Sequence, residues 1–219
     1  FGWEDCCNTS KPLARAFNGC YLLTYSAQDY QNESWSSSIL NWGRRYVRSN
    51  IDDLRSKCGD GSAIASASGD TVEVYLGFFY TKDVPGRAET LIHESRHVGG
   101  KPHNANFPSG SVFGAGESGA DSDWGYEGAW MYGALYLWWF YAAGARTTSA
   151  MKERARQREV YPLALVQYQG RWHLSAKELD GDILTSRDMV PLADRRSEDR
   201  RVLQRRAVLV SLNAREIRD

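Results

Sequence analysis

Residues 90–104 read Thr-Leu-Ile-His-Glu-Ser-Arg-His-Val-Gly-Gly-Lys-Pro-His-Asn, and three of the protein's four histidines, His93, His97 and His103, fall within them. On a helix of 3.6 residues per turn, positions i and i+4 are neighbours, so His93 and His97 can turn two imidazoles toward one metal ion. Glu94 points about 100° round the helix, near enough to handle a metal-bound water without ligating. Gly99 and Gly100 are expected to end the helix, since glycine tolerates the left-handed conformation of a tight exit. His103 then follows on a short loop whose freedom is limited by Pro102. The stretch predicts a metal-carrying helix, and the fold is read outward from it.

Upstream, residues 71–80 are β-branched and aromatic, Thr-Val-Glu-Val-Tyr-Leu-Gly-Phe-Phe-Tyr, and predict a strand. Val84, Pro85 and Gly86 then turn the chain into the motif helix, which is expected to begin at Arg87 or Ala88. Earlier still, Ile39, Leu40, Trp42, Gly43, Tyr46, Val47, Ile51 and Leu54 recur at three- and four-residue spacings, so residues 36–57 predict a scaffold helix. Residues 1–35 read as an irregular opening region. Its Asn8 and Asn32 each match the N-glycosylation pattern, a short and weak signal.

Downstream, residues 107–120 are rich in glycine and predict a long loop. Residues 129–145 carry no charge and are crowded with tyrosine and tryptophan. That span is short for a bilayer crossing and too aromatic for a bilayer centre, so it predicts a buried helix packed behind the motif helix. Ala129 and Gly133, at i and i+4, offer a small surface for close approach. Residues 147–159 predict a charged helix, and a short strand is expected around Tyr168 and Trp172. The Arg-rich tail at 194–219 alternates in sign, which points to a solvated face.

Composition sets wide limits. The 219 residues carry 27 basic and 27 acidic side chains, so no overall field recruits nucleic acid or an anionic membrane. Cys6, Cys7, Cys20 and Cys58 lie in the first 58 residues without the paired spacing of a zinc ribbon. Their even number predicts two disulfides and a secreted or periplasmic location, free thiols in a cytoplasmic protein being the alternative. A vicinal Cys6–Cys7 bridge is the least favourable pairing. The chain begins at Phe1 with no signal-like apolar stretch, which fits a mature or trimmed product.

His93, Glu94 and His97, extended by Gly100 and His103, form H-E-x-x-H-x-x-G-x-x-H, and the stretch resembles the zincin group of zinc metallopeptidases, in its metzincin form. The resemblance covers about fifteen residues. It implies an α+β, zincin-like fold in which a small sheet packs on an active-site helix and a buried aromatic-rich helix. Residues 1–146 would form the catalytic domain and 147–219 a charged extension packed on it. It further implies Zn2+ held by His93, His97 and His103, with Glu94 as general base in hydrolysis of a peptide or protein substrate. Met131 stands where a metzincin methionine turn is permitted, although within a helical pattern.

Other zincin branches take the third ligand from a carboxylate. Asp123 and Tyr126 are similar to the Asp-x-x-Tyr part of the aspzincin signature, which makes Asp123 the alternative third or fourth ligand. Asp121 and Glu127 remain as further ligand or second-layer candidates, and Tyr126 as an oxyanion donor. The competing reading is a catalytically inactive zincin-like binding or effector module with a closed structural metal site. A membrane-anchored protein is the third class, and no membrane span is expected.

Overall fold

The apolar spacing at Ile39, Leu40 and Trp42 forms a helix, α2 (Ile39–Asn50), that buries all three side chains. The structure is a computed structural model describing residues 11–33, 39–57, 59, 63–107 and 116–165, without the side chains of Trp124 and 159–165. In chain order the elements are α1 (Lys11–Tyr25), α2, β1 (Asp53–Ser56), β2 (Ala65–Ser68), β3 (Thr71–Val74) and α3 (Leu76–Tyr80). Then follow α4 (Val84–Val98), β4 (Ala105–Asn106), β5 (Ser118–Ala120), a 3-10 turn at Trp124–Tyr126, α5 (Ala129–Ala143) and α6 (Ser149–Leu165).

The architecture joins helices to two small sheets. One sheet has the order β1-β3-β2, with β1 parallel and β2 antiparallel to β3. The other is the β4–β5 pair, with a register shift between Ala105 and Asn106. Helix α4 is the enclosed element: α1, α2, α5, α6 and strands β2 and β3 all pack on it. Its residues from Pro85 through Arg96 are buried. Around it Leu40, Val72, Phe78, Phe79, Leu91, Ile92, Tyr136 and Phe140 form the core. Each large side chain buried this way contributes roughly 1.5–3 kcal/mol.

Helix α4 starts earlier than the spacing suggested. Asp83 caps it by accepting from the Gly86 N–H at 2.9 Å, and Pro85 sits in the first turn, where its missing N–H costs nothing. At the other end the left-handed residue is Gly100, with φ of 84°. The Gly100 N–H donates to the His97 carbonyl and the Lys101 N–H to the Arg96 carbonyl, each at 3.0 Å. This pair of bonds is a Schellman exit, and it sends the chain back toward His103.

Three further expectations change. The scaffold helix stops at Asn50, whose side-chain amide donates to the Tyr46 carbonyl at 2.8 Å; Asp53–Ser56 pairs with β3 instead. Ile51 and Leu54 fit the helical spacing only because both pack against the core from the strand side. Residues 71–80 split into β3 and the short helix α3. That helix seats Phe78 and Phe79 in the core and leaves Tyr80 exposed, so packing overrides β-propensity. The opening region is not irregular throughout, because Lys11–Tyr25 is helical.

Cys20, within that helix, is a free thiol, so the paired-disulfide expectation does not hold for it; Cys6, Cys7 and Cys58 lie outside the described residues. Asn8, Tyr168, Trp172 and the tail at 194–219 lie outside them too. Helix α5 ends at Ala143, and Gly133 on it faces α4: a Cβ there would lie 2.8 Å from Glu89 Oε1. Its burial is one-sided, with Trp138, Trp139 and Tyr141 half-exposed. Among the described residues no helix is long and apolar enough to cross a membrane.

Candidate metal centre

The last turns of α4 carry His93 and His97 on one face, and the loop after Gly100 brings in His103. One ring nitrogen from each lies within 4.8 Å of the others. The Nε2 atoms of His93 and His97 are 3.1 Å apart. The ring centroids of His103 stand 5.2 Å from His93 and 4.6 Å from His97. Trp130, in the first turn of α5, closes one side, 4.3 Å from the His93 centroid and stacked on His103 at 5.7 Å.

Neighbouring groups fix which nitrogen can face an ion. His97 Nδ1 lies 2.7 Å from the Lys101 carbonyl, which can only accept, so the proton is on Nδ1 and Nε2 keeps its lone pair. His103 Nδ1 donates in the same way to Asp121 Oδ1 at 2.9 Å. His93 is buried, and its Nδ1 has no hydrogen-bond partner among the described residues. Burial, chiefly, then the charges of the other two histidines, holds the His93 imidazolium well below the usual range. Burial also lowers His97. Imidazole must be neutral to ligate, so these shifts favour the ligating form at neutral pH.

Glu94 follows His93 on the same helix. It is buried, and desolvation with the like charge of Glu89 pushes its carboxyl up to about 8, opposed by Lys82. The Lys82 ammonium is 3.4 Å from Glu89 Oε2. At neutral pH the Glu94 side chain therefore holds a proton.

The carboxylates of the following segment divide. Asp121 is wholly buried and braces His103. Asp123 is turned to its own turn, accepting from the Tyr126 N–H at 3.0 Å and from Ser122 Oγ at 3.1 Å, and stands outside the histidine group. Glu127 adopts a left-handed φ of 56°, and its carbonyl accepts from Arg96 at 2.6 Å. The Tyr126 hydroxyl donates to the Pro102 carbonyl, which pins the His103 loop. Lys101 Nζ donates to the Tyr126 carbonyl at 3.2 Å, tying the same loop from its other side. Met131 is buried within α5 and forms no turn.

Four participants escaped the sequence reading. The Lys101 carbonyl orients His97 through backbone alone, which no residue identity announces. Trp130 was counted with the aromatic run of α5. Lys82 and Glu89 bear on Glu94 from outside the motif.

Residues 146–187 match the WYL domain family, a span that contains all of α6. No curated protein and no solved structure matches the chain. The family match overturns the peptidase reading: WYL domains belong to DNA-binding transcriptional regulators, and no zincin family matches. Zinc-dependent peptide hydrolysis, assignment as a metallopeptidase and the general-base role of Glu94 are therefore withdrawn. The H-E-x-x-H spacing specifies two imidazoles on one helix face, and it does not by itself specify hydrolysis.

Proposed function

We propose that the chain is a regulatory, ligand-sensing protein whose ligand at the 93–103 stretch is a transition-metal ion of the Zn2+ class, held by His93, His97 and His103. The regulatory part of the reading comes from the WYL match at residues 146–187. The metal part rests on one observation: three imidazole nitrogens converge within 4.8 Å, and two of the rings are already oriented by acceptors on Nδ1. Three neutral nitrogen donors suit Zn2+, Ni2+ or Cu2+ and suit Mg2+ or Ca2+ poorly, because those hard ions require oxygen. A fourth position would be left to water or an exogenous donor.

Binding in this scheme releases few protons near neutral pH, since burial keeps His93 and His97 uncharged. Occupancy joins the end of α4, the loop at His103 and the first turn of α5 around one ion. The direct test is titration of the full chain with Zn2+ against a competing chelator, beside His93→Ala, His97→Ala and His103→Ala. The expected result is one equivalent per chain, with affinity reduced at least about 100-fold in each variant. Absence of binding, or binding that survives all three substitutions, would overturn the reading.

A further inference from the structure

Asp121, the residue after β5, is a fully buried carboxylate, and its two oxygens serve two different structures. Oδ1 accepts from His103 Nδ1 at 2.9 Å. Oδ2 accepts from the Trp130 backbone N–H at 3.0 Å, in the first turn of α5. The space for this is made by Gly128, the residue before α5, where a Cβ would lie 2.2 Å from Oδ2. Any side chain at Gly128 would displace the carboxylate.

The same corner is tied twice more. The Trp130 indole N–H donates to the Gly119 carbonyl at 2.8 Å, and its ring stacks on His103 at an interplanar angle of 19°. The Asn104 N–H donates to the Ala120 carbonyl at 3.2 Å, holding the strand that follows His103 against β5. Trp130 therefore meets the histidine group with its ring and Asp121 with its backbone. Helix α5 in turn packs along α6, which lies within the residues matched to the WYL family.

We infer that Asp121 is a positioning residue that locks His103 with its proton on Nδ1 and couples metal occupancy to the first turn of α5; this inference rests on the proposed metal-binding reading. The carboxylate has two acceptor oxygens and no donor, so with Oδ2 committed to the Trp130 N–H, Oδ1 can only accept from His103. The Nε2 lone pair is then available to an ion. A metal drawing charge from Nε2 makes Nδ1–H a stronger donor, which tightens the Asp121 contact and is felt at Trp130. An asparagine cannot reproduce this. Its single carbonyl oxygen can satisfy only one of the two donors, and its amide would present N–H to the other.

The test uses the full chain with Zn2+ as probe, wild type beside Asp121→Asn, and reads both affinity and the nitrogen-15 shifts of the His103 ring. In the wild type the ring should carry its proton on Nδ1 with and without Zn2+. The Trp130 amide and indole signals should both shift on Zn2+ addition. Asp121→Asn should bind Zn2+ about 10- to 100-fold more weakly, with the His103 tautomer changed and the Trp130 response lost. Affinity within about twofold of wild type and an unchanged tautomer would overturn the inference while leaving the metal site standing. If the variant does not fold, the wild-type ring still decides, because a proton on Nε2 of His103 in the metal-free protein contradicts the role. A wild type that binds no Zn2+ defeats the metal reading instead, a different outcome from either.

Discussion

Helices α4 and α5 are each 15 residues long and pack against one another, yet they bury opposite chemistries. Helix α5 presents Met131, Tyr132, Leu135, Leu137 and Phe140 as an apolar wall. Helix α4 buries Arg87, Glu89, Thr90, His93, Glu94, Ser95 and Arg96. Most of those polar groups are answered within the fold. Arg87 donates to the Phe79 carbonyl at 3.4 Å and to the Lys82 carbonyl at 2.5 Å, and Thr90 donates to the Gly86 carbonyl at 2.9 Å. Arg96 reaches Tyr46 and the Glu127 carbonyl, and its guanidinium lies 4.1 Å over the Tyr132 ring.

His93 and Glu94 stand out among them, although Arg87 Nε and Arg96 Nε also lack a hydrogen-bond partner among the described residues. His93 leaves a buried nitrogen without a partner, and Glu94 faces a like charge in a dry interior. An unsatisfied buried polar group costs about 1–3 kcal/mol. The unpartnered His93 nitrogen carries that cost beside three converging imidazoles.

The contrast can be broken first on the apolar side. Phe140→Ala removes a fully buried ring from the α5 wall and should destabilise the protein by about 3–5 kcal/mol in urea unfolding. Zn2+ stoichiometry measured below the transition should stay at one. If the metal site were lost in a still-folded variant, the two helices would not be separable in this way.

On the polar side the sign reverses. Glu94 titrates at about 8 in the fold against an ordinary 4.5, so the folded state holds the proton more tightly than the unfolded chain does. Its cost is absent below about pH 4.5, grows as the unfolded chain ionises, and is complete above about pH 8. In the metal-free protein Glu94→Gln should therefore be more stable than wild type at pH 8, on the order of a few kcal/mol, and nearly neutral at pH 4. Thermal unfolding at the two pH values, with chelator present, checks it. Equal stability at pH 8 would mean that the carboxylate is solvated.

The smallest effect is expected where the helices touch. Gly133→Ala places a methyl against the Glu89 carboxylate end, which can shift, so a loss of about 1 kcal/mol is expected in the same unfolding assay. A loss of several kcal/mol would show that Glu89 and Lys82 are locked in place.

Much of this contrast was legible beforehand. The i, i+4 histidines and the charge-free aromatic run announced α4 and α5 because each is a strong local pattern. Helix α1 was hidden behind its cysteine, which drew attention to disulfides and away from Leu22 and Leu23, now in the core. Strand β2, Ala-Ser-Ala-Ser, has almost no β-propensity and exists because β3 lies beside it.

Which of His103 and Asp123 lies beside His93 and His97 depends on features no spacing displays. The left-handed Gly100 and the Tyr126–Pro102 contact aim the loop, while Asp123 is used by its own turn. Function was the least legible layer. The weight lay on residues 93–103, whereas the family match falls at 146–187, where the sequence reading found only a charged helix and a short strand.

The central claim, that three imidazoles hold one ion, is tested most directly by X-ray absorption at the zinc edge of the full chain loaded with one equivalent. The account predicts three imidazole nitrogens at about 2.0–2.1 Å with one further oxygen or nitrogen donor completing the sphere. A sphere built from sulfur, or from oxygen without imidazole scattering, would contradict it.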